Sequence, residues 1–347
     1  MRTIYSRAHL GHAPQEEFEA GRLSPAVEIP ARAERVAARI ADRNIGPVLE
    51  PQHFGDGPIL RVHDPEMVGF LGNAHDEWIK RYGPAAPDAI PSAWPVRGMR
   101  LRGAKDVESR LGSFTFDTAT PIARGTWSAA RAAVDVALTA ADCMREGDAA
   151  AFALTRPPGH HAGADYFGGY CYLNNVAIAA QWFADHGLRP AILDVDYHHG
   201  NGTQAIFYAR DDVFYASLHA DPSFAYPHFV GFADERGRGA GENANLNLPL
   251  PSGTEWISYA PALAQAQAAV NAFGPDMLLV SLGLDTFERD PISDFRLTSE
   301  NYLRLGEAIA KSAKPTLFVF EGGYDLETLA ENTVNVLEGF LQTAVKT

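Results

Sequence analysis

From about residue 148 onward, short β-branched and apolar runs alternate with segments whose apolar positions recur every three or four residues. The runs Ala150–Leu154, Ala191–Val195, Val213–Leu218, Met277–Leu282 and Thr316–Phe320 predict strands. Between them, Leu173–Ala184, Glu255–Phe273 and Ser299–Ser312 predict helices. Strands that are apolar on both faces and alternate with helices predict an α/β fold: a mostly parallel sheet with helices on both faces. In the N-terminal third, Ala31–Arg43 and Trp127–Arg145 are helical by composition. Pro84–Pro121 is rich in Gly, Pro and charge and reads as a long loop insertion, and a loop of that length in a compact domain is functional or disordered. No repeat, low-complexity tract or linker divides the chain, so a single domain over residues 1–347 is expected.

Composition narrows the class. With 46% hydrophobic and 21% charged residues the chain falls in the globular range, and no stretch approaches the ~18 uninterrupted apolar residues of a membrane span. Two cysteines, Cys143 and Cys171, are too few for a disulfide scaffold, and the N-terminus lacks an apolar signal-peptide core. A cytoplasmic enzyme without membrane contact is the expectation. The net charge of −14 repels phosphate backbones and attracts cations, which argues against a nucleic-acid partner.

Ligands of open parallel sheets bind beyond the carboxyl ends of the strands. The residues there are Arg156-Pro-Pro-Gly-His-His161, Asp194-Val-Asp-Tyr-His-His-Gly-Asn201, Ser217-Leu-His219, Gly283-Leu-Asp285 and Glu321-Gly-Gly-Tyr324. Any one of these polar residues alone would be read as a cap or a core-edge histidine; together they predict one shared site. Period-two alternation would send Asp194, Asp196 and His198 to one face. Two carboxylates and an imidazole, with Asp285 from another strand, offer Asp/His/Asp ligation with an open position, suited to Zn2+ and also to Fe2+ or Co2+. A metal with one water needs a base and an acid, which the tandem His160 and His161 can supply, with Asp194 and Asn201 as candidate orienting partners. Tyr324 can donate its hydroxyl to a developing oxyanion.

These motifs, with Asp290-Pro291 and Phe167-Gly-Gly-Tyr-Cys-Tyr-Leu-Asn-Asn175, resemble the signatures of the arginase-fold histone deacetylases, in order from about residue 150 to 341. The N-terminal portion is similar to that of bacterial acetylpolyamine amidohydrolases. The resemblance implies zinc on Asp196, His198 and Asp285, Tyr324 polarising the acetyl carbonyl, and His161 as general base and then acid. His160, paired with Asp194, would mainly supply positive charge, and Asn201 resembles the residue of the class II and bacterial branch. Phe167, Tyr170, Tyr226 and Ile292 would line a narrow substrate tunnel, with Glu17 and Glu108 at its mouth. Structural K+ is implied at two places, one around Asp194, Asp196, His198, Ser217 and Leu218, the other near Phe207, Arg210 and Val213. A homodimer is implied as well.

The expected activity is zinc-dependent removal of acetyl groups from cationic acetylated polyamines. Two competing readings keep the fold: a protein acetyl-lysine deacetylase, which needs an open mouth where the 84–121 segment suggests an occluded one, and a two-manganese ureohydrolase, which needs further bridging carboxylates. A catalytically silent binding module is a fourth reading, disfavoured by the intact ligand and histidine set.

Overall fold

The computed structural model of the chain describes residues 1–344 except Ala20, Leu101 and Ala104. The last two fall within the 84–121 segment and, like residues 345–347 of the expected 1–347 domain, lie outside the described residues. In chain order the strands are β1 (Arg2–Ile4), β2 (Glu16–Glu19), β3 (Arg22–Pro25), β4 (Val48–Leu49), β5 (Ala150–Ala153), β6 (Pro190–Asp194), β7 (Phe214–Ala220), β8 (Asn245–Leu250), β9 (Met277–Leu282) and β10 (Thr316–Phe320). The helices are α1 (Ala31–Asp42), α2 (Gly57–Leu60), α3 (Pro65–Tyr82), α4 (Val107–Phe114), α5 (Thr126–Arg145), α6 (Asn175–Asp185), α7 (Asn201–Phe207), α8 (Trp256–Phe273), α9 (Ser299–Ala310) and α10 (Leu329–Ala344). Eight strands form one sheet in the order β4-β1-β5-β10-β9-β6-β7-β8, every pairing parallel, while β2 and β3 form a separate antiparallel hairpin.

Alternation along the central strands feeds two cores. On β10, Leu317 and Val319 face α3, α5 and α6, whereas Phe318 and Phe320 face α1, α9 and α10. Burying both faces is what keeps these strands apolar throughout. The fold class is therefore the α/β architecture expected from the pattern, and the strands carrying the polar motifs, β5, β6, β7, β9 and β10, sit in the middle of the sheet.

Several expectations need correction. The 84–121 segment is not loop throughout, because it contains α4. Asp106 caps that helix by accepting from the Glu108 N–H, Phe114 stacks on Phe70 of α3 at 5.4 Å, and Arg110 pairs with Glu77 at 2.9 Å. Two turns containing a glycine carry little periodicity, so tertiary packing makes the helix. Strand β8, Asn-Leu-Asn-Leu-Pro-Leu, also escaped the pattern: its buried Asn245 and Asn247 donate to the Gln204 side chain instead of facing water. Asp196 and His198 lie in the turn after β6, not on the strand, so period-two alternation does not bring them together.

Beneath the carboxyl ends of β5 and β10 lies a buried charge cluster. Arg32, on the apolar stripe of α1 with Ala33, Val36 and Ile40, donates to Glu28 Oε1 at 2.8 Å, to the Glu321 carbonyl at 2.6 Å and to the Gly323 carbonyl at 2.6 Å. Arg156 donates to the same Glu28 oxygen at 2.9 Å and to the carbonyls of His9 and His12. Burial works against charge on Glu28, but Arg156 and Arg32 outweigh it and pull its pKa down to about 2. Removing one partner of a buried ion pair costs about 3–5 kcal/mol, so Glu28→Gln is expected to lower stability by that order in urea unfolding at pH 7. Because the folded pKa is depressed from 4.5, this contribution is complete above 4.5 and fades as pH falls toward 2, so the gap between wild type and variant narrows in acid. A loss below about 1 kcal/mol at pH 7 would show that the two arginines do not depend on this carboxylate.

Candidate active site

The turn after β5 carries His160 and His161, the turn after β6 carries Asp196 and His198, the end of β9 leads to Asp285, and the end of β10 leads to Tyr324. All but Asp285 line one cavity of about 290 Å³. Asp285 is fully buried behind it.

Asp196, His198 and Asp285 each place a ligating atom within 4.8 Å of the other two. Main-chain donors fix both carboxylates: His198 and Gly322 N–H groups donate to Asp196, each at 2.9 Å, and the Tyr197 N–H donates to Asp285 at 2.8 Å. A Cβ at position 322 would stand 2.6 Å from oxygens of both aspartates, so glycine is what lets the β10 end close over them. His198 Nδ1 faces Asp285 at 2.9 Å and Asp196 at 3.4 Å. Two buried anions converging on one imidazole nitrogen form a donor set that fits a divalent cation.

The tandem histidines have different partners. His160 Nδ1 donates to Asp194 Oδ2 at 3.1 Å, and Tyr215 donates to the same oxygen at 3.0 Å. Burial disfavours charge on His160, but Asp196 and Asp194 outweigh it and push its pKa up to about 10. His161 Nδ1 lies 2.6 Å from Asn201 Oδ1, an atom that can only accept, so Nδ1 carries the proton and Nε2 keeps its lone pair. Burial, then repulsion from His160 and His198, drives the His161 pKa well down. The surroundings thus favour the charged form of one imidazole and the neutral form of the other, which keeps an unprotonated Nε2.

Tyr324 stands on Arg32, whose guanidinium lies 4.6 Å from the ring centroid, and its N–H donates to Asp290 at 2.7 Å. Tyr170 packs edge-on against it at 5.6 Å. Gly169 and Tyr170 both adopt left-handed backbone, and a Cβ on Gly169 would strike the His161 ring. Tyr226 meets His161 edge-on at 5.2 Å and donates to Asp117 at 2.7 Å.

Tyr170, Tyr226 and Ile292 are on the cavity wall. Phe167 is not: it is fully buried in the core beside Tyr172. Glu17 lies behind the wall, buried, accepting from the Tyr170 hydroxyl at 3.2 Å, and burial lifts its pKa to about 7. Glu108 is off the wall too, half-buried on α4 and engaged by Tyr82 and Ser92 at 2.8 Å each. The carboxylates that do line the cavity beside the ligand group are Glu19 and Asp117, neither of them singled out from the sequence. Glu19 shares a face of β2 with Glu17, a period-two signal that could have found it, whereas nothing marked Asp117. Arg32 was legible as a charge on an apolar helix stripe.

Comparison with known proteins identifies the family and the fold. The histone deacetylase domain profile matches residues 25–340. Acetylpolyamine amidohydrolase 1 of Pseudomonas aeruginosa is 50% identical over 343 residues, 98% of this chain and 99% of that protein. The acetylpolyamine amidohydrolase of Mycoplana ramosa is 45% identical over 340 residues, covering 98% and 99%. The crystal structure of acetylpolyamine aminohydrolase from Burkholderia pseudomallei superposes with a TM-score of 0.94 at 40% identity, covering 99% of each chain.

With only two of three ligands left, a catalytic ion is not retained. Asp285→Ala is therefore expected to lose stoichiometric divalent metal after dialysis, as read by elemental analysis. Full metal content in that variant would remove Asp285 from the ligand set.

Proposed function

Because the chain belongs to the histone deacetylase domain family, we propose that it is a zinc-dependent amidohydrolase that removes acetyl groups from acetylated polyamines, acting as one catalytic domain. The observation that carries the substrate class is the set of carboxyl groups on the cavity wall: Glu19 and Asp117 stand there, burial working against charge on Asp117, and, His160 beside Asp194 aside, no Lys or Arg is among the described residues that line it. Such a wall favours an alkyl chain ending in an ammonium group. The resemblance to acetylpolyamine amidohydrolases along nearly the whole chain supports the same choice.

Asp196, His198 and Asp285 would hold the zinc ion, which when bound supplies a Lewis acid and lowers the pKa of water. His161 takes the proton of the attacking water at Nε2 and returns it to the departing amine nitrogen. The charged His160 stays protonated on Asp194 and stabilises negative charge that builds nearby. Tyr324 donates its hydroxyl to the carbonyl oxygen as that atom becomes anionic. Glu19 meets the distal ammonium at the mouth, while Glu17 fixes the Tyr170 hydroxyl behind it. The same reading takes the enzyme as a cytoplasmic homodimer with structural K+. One ion would sit where β6 pairs Asp194 with Ser217, close to Asp196, His198 and Leu218, and another near Phe207, Arg210 and Val213 at the end of α7. No helix among the described residues is long and apolar enough to cross a membrane.

Turnover across N-acetylated diamines, acetylspermidines and acetyl-lysine peptides tests the assignment, and a strong preference for the peptides would overturn its substrate half. Tyr324→Phe is expected to lower kcat by about two to three powers of ten with little change in KM; a rise in KM alone would contradict the oxyanion role. Glu19→Gln should reduce kcat/KM for acetylputrescine by about two- to fivefold, an effect that shrinks with salt, and should leave a neutral acetylated amine untouched. Equal losses on both substrates would assign Glu19 to structure.

A further inference from the structure

Glu321 directly follows β10 and is completely buried, and its side chain does not line the cavity. Its Oε2 accepts from the N–H of Gly159 at 2.7 Å and from the N–H of His160 at 3.2 Å, while Ser281 Oγ stands 3.5 Å from Oε1. Its own carbonyl accepts from Arg32 at 2.6 Å. One residue therefore joins three pieces of the site: the turn that carries both histidines, the loop that leads to Tyr324, and the buried arginine on which Tyr324 rests.

The Nδ1 atoms of the two imidazoles are held by Asp194 and Asn201. Those bonds fix ring rotation but not the height of the turn above the sheet. The main chain at 159–160 sets that height, and the Glu321 oxygen is the side-chain acceptor that takes both of its N–H groups. A buried carboxyl with so few donors is costly to keep, and burial lifts its pKa to about 7. Geometry accounts for its presence, since a single oxygen in that place can accept both N–H groups whether or not the carboxyl is ionised.

We propose that Glu321 is a positioning residue for the acid–base pair: through the main chain of Gly159 and His160 it sets His160 and His161 relative to Tyr324 and the ligand group. This rests on the deacetylase reading, under which the histidines must meet a carbonyl that Tyr324 also reaches. A misplacement of about 1 Å in such an arrangement costs up to roughly 100-fold in rate.

The test uses Glu321→Met, which keeps the volume and removes the acceptors, and Glu321→Gln, which keeps an amide oxygen able to take both N–H groups. With acetylputrescine and zinc-loaded full-length enzyme, Glu321→Met should lose about 10- to 100-fold in kcat with KM and bound zinc unchanged. Glu321→Gln should stay within about threefold of wild type. Wild-type kcat in Glu321→Met, or a loss in Glu321→Gln as large as in Glu321→Met, would overturn the proposal. Should Glu321→Met fail to fold, Glu321→Gln decides alone: near-native kcat supports the positioning role, and a large loss refutes it. Absence of turnover by the wild type would instead count against the deacetylase reading.

Discussion

The Arg32 guanidinium is the fixed point of the site. It is fully buried, shares Glu28 with Arg156, binds the carbonyls of Glu321 and Gly323, and lies under the Tyr324 ring. A rigid planar fork is suited to holding several acceptors at once in this way. The start of the loop after β10 is tied on one side to β9, where the Glu321 N–H donates to the Leu282 carbonyl and the Leu284 N–H to the Gly322 carbonyl, each at 3.0 Å, and this cation takes the carbonyls of Glu321 and Gly323. What the loop delivers is therefore held between β9 and α1: Gly322 over the aspartates, Tyr324 over the cavity and the Glu321 side chain under the histidine turn.

The two neighbouring histidines show how environment divides roles between identical side chains. Two carboxylates favour the charged form of one, whereas a neutral amide leaves the other with a free lone pair. Repulsion between the rings, 4.1 Å apart, reinforces the difference, since charge on His160 disfavours charge on His161. The difference between the two rings therefore follows from one Asp and one Asn, located on a strand and at the start of a helix that the chain brings together from 34 and 40 residues away.

Much of this was legible in the sequence because each motif directly follows a strand whose apolar run is unmistakable. β9 and β10 have the bounds the pattern predicts, and their ends deliver Asp285 and Tyr324 as expected. The convergence of Asp196, His198 and Asp285 could be read although the reason given for it, strand alternation, was the wrong one, since the turn after β6 does the gathering. What stayed illegible depends on contacts with no local trace. Asp117 owes its place to bonds with Gly169 and Tyr226, 52 and 109 residues away. Glu108 and Phe167 followed family position, and packing puts one on an outer helix and the other in the core. Helices α3 and α10 carry apolar stripes as regular as that of α5 and simply went unread, whereas strand β8 sets buried asparagines between its leucines.

The order of the strands sets a schedule for synthesis. β10 is the last strand made, yet it lies in the centre, between β5 and β9. Until the chain has passed Phe320, the sheet exists as two half-sheets, each with an open, apolar, hydrogen-bond-hungry edge. Exposed central edges of this kind pair with other chains, so the nascent protein is at its most aggregation-prone just before completion. An early stop that removes β10 also removes part of the cavity, because the strand that closes the sheet leads directly to Tyr324 and to the glycine that covers Asp196 and Asp285.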